Sequence, residues 1–508
     1  MTGPAVISRR LFLRAGLAGL AVVAVGTLAG CDLVPSYTPM DSFGRVDFRQ
    51  PLPLPPLNEG RMQDGARRFE LVAQAGKSRI IDAGSTTTWG INGPLLGPTL
   101  RVRRGDHIEM AVRNDLGEPT TLHWHGMHLP AAADGGPHQT IAPGETWSPN
   151  WVVDQPAATL WYHPHPHGQT ERHVYRGLAG MLIIDDDNER ELGLPRRYGE
   201  DDFPLIIQDK TFNKSGELLE TQRYDNGMLG DTILVNGAVS PILTITAEHT
   251  RLRVLNASTA RSYNIGFSDD REFTMIGSDG GLLRAPVALT RLHLTPGERA
   301  EIILRCAPDD ELTLRSYPHP QGLPTAIADA TGASDRLDIL LIRAATALTP
   351  SSPLPDELAV LPALEPPPES TWRRFDLRGF RINGADMDPS RIDVTVEVDT
   401  TELWEVRNAH DKPHNFHIHD VQFQIRTIDG QAPPAHLAGW KDTVYLPPRT
   451  PVQLLMRFSD HTDRNMPYMY HCHLLWHEDN GMMGQFVVVD PGETAGTPPP
   501  IRGDHGGH

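Results

Sequence analysis

Three times along this chain an Asn-Gly pair leads, through alternating apolar and polar residues, to a second asparagine. Ile91-Asn92-Gly93 leads to Val112-Arg113-Asn114, Val235-Asn236-Gly237 to Val254-Leu255-Asn256, and Ile382-Asn383-Gly384 to Val406-Arg407-Asn408. Alternation with period two marks half-buried strands, and Asn-Gly, Pro-Gly and Gly-Asp pairs mark the turns between them. A unit that recurs in this way is one domain used three times. The 508 residues suit about three domains, and 45 prolines and 46 glycines suit a chain rich in turns. The fold expected is all-β, with Greek-key β-sandwiches in series.

Composition places the boundaries. A first domain is expected over 45–190, closing in the polar stretch Asp185–Asp202, and a second over 200–345. A Pro-rich, semi-rigid linker over 346–370 precedes a third domain over 371–491, and residues 492–508 read as a disordered tail whose His505 and His508 are solvated. The repeats differ in what they carry. Nine and eleven residues after Asn114 stand His123 and His125, and at the same offsets from Asn408 stand His417 and His419. After Asn256 these positions hold Ile265 and Phe267, so the middle domain reads as a structural spacer and its His319 as a surface residue.

Four His-x-His units occur: His123/His125, His163/His165, His417/His419 and His471/His473. On a strand each pair projects onto one face, roughly 7 Å apart at the backbone. Eight imidazoles from two domains can then converge on several metal ions, and neutral imidazole suits copper well. Cys472 lies between His471 and His473 and faces the other way. With His477 five residues on, Met482 ten residues on, and His414 out of step with His417 and His419, it completes a candidate blue-copper site. Two redox centres would thus be joined by one backbone link of roughly 12 Å. Leu178, in Gly177-Leu178-Ala179-Gly180, stands where Met482 stands in Gly481-Met482-Met483-Gly484, so only the third repeat carries this site, with Met483 as packing.

The segments His123-Trp124-His125-Gly126, Trp161-Tyr162-His163-Pro164-His165, His414-x-x-His417-x-His419 and His471-Cys472-His473 resemble the copper motifs of the multicopper oxidases, above all the bacterial three-domain laccase-like and cuprous-oxidase-like members. The resemblance covers nearly the whole chain after its first residues. It implies three cupredoxin-like domains and four copper ions, one type 1, one type 2 and two type 3. It assigns the type 1 ion to His414, Cys472, His477 and Met482, and the type 2 ion to His123 and His417. One type 3 ion falls to His125, His163 and His473, the other to His165, His419 and His471. Asp134 and Glu478 resemble the acids that feed protons to the cluster, needed because reducing dioxygen to water consumes protons. Asp442, in Trp440-Lys441-Asp442, resembles a residue near the type 1 edge and is expected there to orient a substrate. His128, His167 and His173 match no ligand position and read as supporting or surface residues.

The activity implied is one-electron oxidation of a small donor at the type 1 copper, coupled to reduction of dioxygen. Phenols and aromatic amines are the first choice of donor, and Cu(I), Fe(II) or Mn(II) the alternative. The segment Ala345–Trp372 has no methionine, and His410 and Lys412 occupy places where cuprous-oxidase relatives carry an acid and a methionine. A copper-free structural role in cell division, or copper sequestration, would fit this architecture only with ligands missing or turnover absent.

A net charge of −18 argues against nucleic acid or an anionic membrane as partner, and a monomer is expected. Ser8-Arg9-Arg10-Leu11-Phe12-Leu13 resembles a twin-arginine export signature, followed by an uncharged apolar run from Ala15 to Gly30. Leu28-Ala29-Gly30-Cys31 resembles a lipoprotein cleavage box, so residues 1–31 read as signal and Cys31 as a lipidated tether. Periplasmic or cell-envelope placement follows. With Cys31 for lipid and Cys472 for metal, Cys306 remains as an inert buried thiol and no intrachain disulfide is expected.

Overall fold

The computed structural model of the chain describes residues 37–221, 223–320 and 322–502. Among the described residues strands dominate, and they fall into six sheets, two for each repeat. In the first repeat, one sheet is built on Ala66–Ser78 and His107–Asn114, which run parallel. The other sets Thr99–Arg103, Gly180–Asp185, Ala158–His163 and His123–His125 side by side. The third repeat follows the same plan: Val394–Glu397, Met483–Val489, Tyr468–His471, His414–Ile418 and Thr443–Leu446 form its second sheet. Among the described residues no helix is long and apolar enough to cross a membrane.

The repeated asparagines explain why the same plan forms three times. Asn92, Asn236 and Asn383 adopt φ of 57°, 51° and 54°, a left-handed conformation that asparagine tolerates better than most residues. Each then bridges the neighbouring strand, accepting from the backbone N–H of Val72, Ile206 or Asp376 and donating to the carbonyl of Glu70, Pro204 or Arg374. The second set acts alike. Asn114, Asn256 and Asn408 are buried, and each Nδ2 donates to one carbonyl of the loop that follows (Glu118, Arg261 or Lys412) and to one of a more distant segment (Ile141, Leu294 or Leu446). Buried amides satisfied in this way hold the loop that leads into the next strand. In the first and third repeats that strand carries histidines.

Register sets the histidines against each other. His123 pairs with His163, and His417 with His471. Because side chains alternate, Trp124, Ile418 and Cys472 point into the domain cores while their histidine neighbours face the other way. In the middle repeat Ile265 and Phe267 are fully buried core residues, as their apolar character requires.

Several expectations need correction. Gln50–Pro51 adds as a parallel strand to the middle repeat, and Tyr37 and Met40 bond to Asp335 there, so residues 37–52 belong with the second domain rather than the first. The strand Leu337–Thr349 runs past residue 346, because its alternation continues into the supposed linker. The segment after Pro491 is held as far as Pro499: the Pro499 carbonyl bonds His138 Nδ1 at 2.7 Å and Gly496 N–H donates to the Arg464 carbonyl at 2.7 Å. His505, His508, the twin-arginine motif, the apolar run and Cys31 lie outside the described residues. Cys306 is buried, and burial pushes its thiol up to about 11, as suits an inert residue. His319 is buried rather than exposed, its ring 4.7 Å from that of His293.

Candidate metal centres

His414 begins the strand His414–Ile418, Cys472 follows Tyr468–His471, and His477 sits on the short helix Leu475–Asp479. The three converge. Cys472 Sγ lies 3.7 Å from His414 Nδ1 and 3.6 Å from His477 Nδ1, and the two imidazole nitrogens are 3.1 Å apart. Met482, fully buried, is held against the same site, since its carbonyl accepts from Cys472 N–H at 3.1 Å and its own N–H donates to the His477 carbonyl at 3.0 Å. Burial raises the Cys472 thiol to about 12 and lowers His477 to about 4. The imidazoles are therefore neutral, and a thiolate here needs a metal ion to balance its charge. Asn415, between the ligand positions, accepts from Cys472 Sγ at 3.5 Å and from His473 N–H at 2.6 Å.

On the other face of these strands the eight remaining histidines form one buried cluster. His165 Nε2 and His419 Nε2 lie 3.2 and 3.3 Å from His471 Nε2, while His125 Nδ1 lies 3.4 Å from His163 Nε2. His125 stacks on His417 at 3.7 Å and His123 on His419 at 3.8 Å. Donor atoms of His123, His417 and His419 come together in one group, and those of His123, His125 and His163 in another. The outer nitrogens of His123, His163, His417, His419 and His471 are tied to carboxylates or carbonyls, which fixes the tautomer and leaves the inner nitrogen as a metal ligand. Asp134 bonds His123 Nδ1 through its carbonyl and His419 Nδ1 through Oδ2, both buried. Glu478 carboxylate oxygens lie 3.4 Å from His165 Nδ1 and 3.1 Å from His471 Nδ1. His125 is turned the other way, its Nε2 3.0 Å from Asp442 Oδ1, so that Nδ1 faces the cluster.

The donor set fits copper. His123 Nε2, His417 Nε2 and both ring nitrogens of His473 are buried without a hydrogen-bond partner. An orphaned buried polar atom costs about 1–3 kcal/mol, so a cluster of them points to ions as the missing partners. Burial holds His125, His163, His417, His419 and His473 well below the ordinary imidazole range, in the neutral form a metal requires.

The structure thus brings all ten predicted histidine ligands and Cys472 into two groups, bonds the Met482 backbone to Cys472 and His477, and sets Asp134 and Glu478 directly behind the imidazoles. It corrects Asp442. That carboxylate is wholly buried beneath the cluster, bonded by Arg299 at 2.7 and 2.6 Å, and cannot meet a substrate at the surface. Its carbonyl also accepts from His417 Nδ1 at 2.8 Å. The middle domain is more than a spacer. It supplies Arg299 to Asp442, the Asp225 carbonyl to His477 Nε2 at 3.1 Å, and Gly297, where an added Cβ would stand 3.1 Å from His473 Nδ1. No spacing in the sequence announces Arg299 or Asp225, because both reach the site across a domain boundary. Asn415 had a legible signal, a polar residue in an otherwise buried ligand strand. His173 is buried, bonded to Thr120 and Glu118, and His128 is paired with Asp420.

Models of the multicopper oxidase family match residues 73–189, 199–321 and 360–492. The chain is 37% identical to a Staphylococcus haemolyticus multicopper oxidase, over 84% of this chain and 90% of that protein. It is 36% identical to the Escherichia coli cell division protein FtsP, over 95% of this chain and 99% of that one. Among solved structures it resembles a laccase from Pediococcus acidilactici, with a TM-score of 0.80, 35% identity, and coverage of 89% of this chain and 96% of that one. Three cupredoxin-like domains, a Cys/His site and a cluster of eight imidazoles lead to the same conclusion as these likenesses: the chain belongs to the multicopper oxidase family, copper-binding oxidoreductases.

Proposed function

We propose that the protein binds four copper ions and is a laccase-like oxidase of small phenols and aromatic amines. His414, Cys472, His477 and Met482 would hold the type 1 ion, and His123 and His417 the type 2 ion. His125, His163 and His473 would hold one type 3 ion, and His165, His419 and His471 the other. Copper in these sites supplies one-electron acceptance from the donor and four-electron reduction of dioxygen to water. The observation that carries the reading is the placement of Cys472 within 3.7 Å of two imidazoles, while His471 and His473 beside it face the second cluster.

The chain's own residues then have distinct tasks. The backbone between Cys472 and its neighbours links the two centres. Glu478 and Asp134, buried against imidazoles on opposite sides of the cluster, hold and pass protons toward it. Arg299 opposes the rise that burial imposes on the Asp442 pKa, and Asp442 keeps His125 in the tautomer that presents Nδ1 inward. The complete donor set opposes a copper-free role in cell division, the process for which the FtsP relatives are named. Export through the twin-arginine route and a lipid tether at Cys31 belong to the same proposal.

Oxygen uptake by copper-loaded protein, with a phenol, Cu(I) and Fe(II) compared side by side, tests the reading. Fastest uptake with the phenol is expected. Fastest uptake with a metal ion would make the protein a metallo-oxidase, and copper bound without uptake would make it a sequestering or structural protein.

A further inference from the structure

Away from the buried clusters, an open groove of about 950 Å³ lies over the mononuclear site, lined among others by Arg378, Phe380, His410 and Asn480. Phe380 forms its floor toward the candidate ligands. Its ring is 5.4 Å from His477 in an edge-to-face contact and 6.5 Å from Trp476, and it is 37% exposed. On the other side, the His410 ring stands 6.4 Å from His414. An aromatic surface is thus offered to solvent directly above a ligand of the electron-accepting site. Such a face suits an aromatic donor, through offset or edge-to-face contact.

The charges around this mouth are arranged unequally. Arg381 is paired with Asp386 at 2.9 Å, Arg407 with Asp376 at 2.8 Å, Arg449 with Asp411 at 2.7 Å and Lys412 with Asp225 at 2.7 Å. Arg378 is different: it is exposed, lines the groove, and among the described residues its side chain makes neither an ion pair nor a hydrogen bond. On a chain with a net charge of −18, the entrance to the mononuclear site therefore carries one uncompensated guanidinium. A free guanidinium beside an exposed ring is a fork for a carboxylate, and it repels cations. The overall acidity that would attract metal ions is offset at this mouth.

We propose that the groove is the donor site for phenols that carry a carboxylate, the ring packing on Phe380 and the carboxylate meeting Arg378. The inference rests on the oxidase reading above for the destination of the electron. With copper held by His414, Cys472 and His477 as the one-electron acceptor, the phenol would give up one electron to that site and one proton to water in the open groove, leaving a phenoxyl radical. Four such events, with four protons, reduce one dioxygen to two waters. Metal cations and protonated amines are disfavoured at this mouth.

Syringate and its methyl ester share the same phenol and differ in the charge at the far end of the ring, so they isolate the claim. With the copper-loaded full chain at low ionic strength, kcat/KM for syringate is expected to exceed that for the ester by about fivefold, in line with one exposed ion pair. Added salt should bring the ratio toward one. Arg378→Ala should also bring it to about one, Arg378→Glu should invert it, and Arg378→Lys should keep most of it. Arg457→Ala, which removes a surface charge paired with Asp399, should leave the ratio as in the wild type. Retention of the blue absorption reports that each variant is folded and loaded. A ratio near one in the wild type, or an advantage that survives Arg378→Glu, overturns the proposal while leaving the oxidase reading intact. Absence of oxygen uptake with both donors overturns the oxidase reading, and this inference with it.

Discussion

Replacing Arg299 with methionine should destabilise the protein by about 4 kcal/mol, because it breaks one partner of a buried ion pair. Arg299 and Asp442 are both wholly buried, and the guanidinium also donates to the carbonyls of Thr159, Gly297 and Asp279 at 2.9–3.0 Å. Methionine fills much of the same volume, so the cost is electrostatic rather than a cavity. Burial already works to raise the Asp442 pKa, and Arg299 is the group that opposes it. Without Arg299 the carboxylate keeps Thr443 Oγ1, His125 Nε2 and, at 3.6 Å, His417 Nδ1 as partners, and proton uptake limits the penalty. The double variant Arg299→Met/Asp442→Leu leaves no charge unpaired, so it should recover at least about 2 kcal/mol relative to the sum of the singles. Urea unfolding of demetallated protein, followed by tryptophan fluorescence across the four members of the cycle, measures this coupling. Copper content measures a separate consequence: every variant lacking Asp442 should bind copper about 10–100-fold more weakly, since His125 loses its orienting partner. A single variant within about 1 kcal/mol of wild type, or a cycle with no coupling, would refute the reasoning.

Other consequences follow from the same geometry. Met482→Leu should raise the type 1 potential and keep the blue colour, because the axial ligand tunes the site; an unchanged potential on electrochemical titration would contradict the axial assignment. Glu478→Gln should slow oxygen uptake by about 10²-fold while leaving anaerobic bleaching of the blue band by a donor unaffected, and equal slowing of both steps in rapid mixing would rule out its proton role. At His128, burial opposes the charge, but Asp420 at 2.8 Å and Asp460 at 3.7 Å outweigh it and raise the imidazole to about 9 from 6.5. The folded state therefore holds that proton more tightly, and the stabilisation, about 3 kcal/mol, is complete below pH 6.5 and lost as pH rises through 9. His128→Gln should flatten the dependence of stability on pH across this window, as read by unfolding midpoints.

Much of this molecule was legible before any coordinates, and the reason is local. The Asn-Gly and Asn repeats carry their own turn and loop chemistry, so Asn92, Asn236 and Asn383, and Asn114, Asn256 and Asn408, could be matched without knowing what they touch. The period of two along a strand separates Cys472 from His471 and His473 whatever the rest of the chain does. Boundaries were less legible. Residues 37–52 and 492–499 are committed by pairing with distant segments, as in Gln50 with Pro241 and His138 with Pro499, and composition carries no trace of a remote partner.

The sequence by itself determined which residues can hold copper and which face of each strand they share, because ligand chemistry and strand periodicity are properties of neighbouring residues. Only the tertiary structure decided what stands behind and above those ligands. It buries Asp442 against Arg299 and closes the middle domain over His477 and His473. It also leaves Arg378 unpaired beside Phe380 at the entrance. Those contacts join residues up to hundreds of positions apart, and their energies arise from burial and charge pairing, which exist only once the domains have packed.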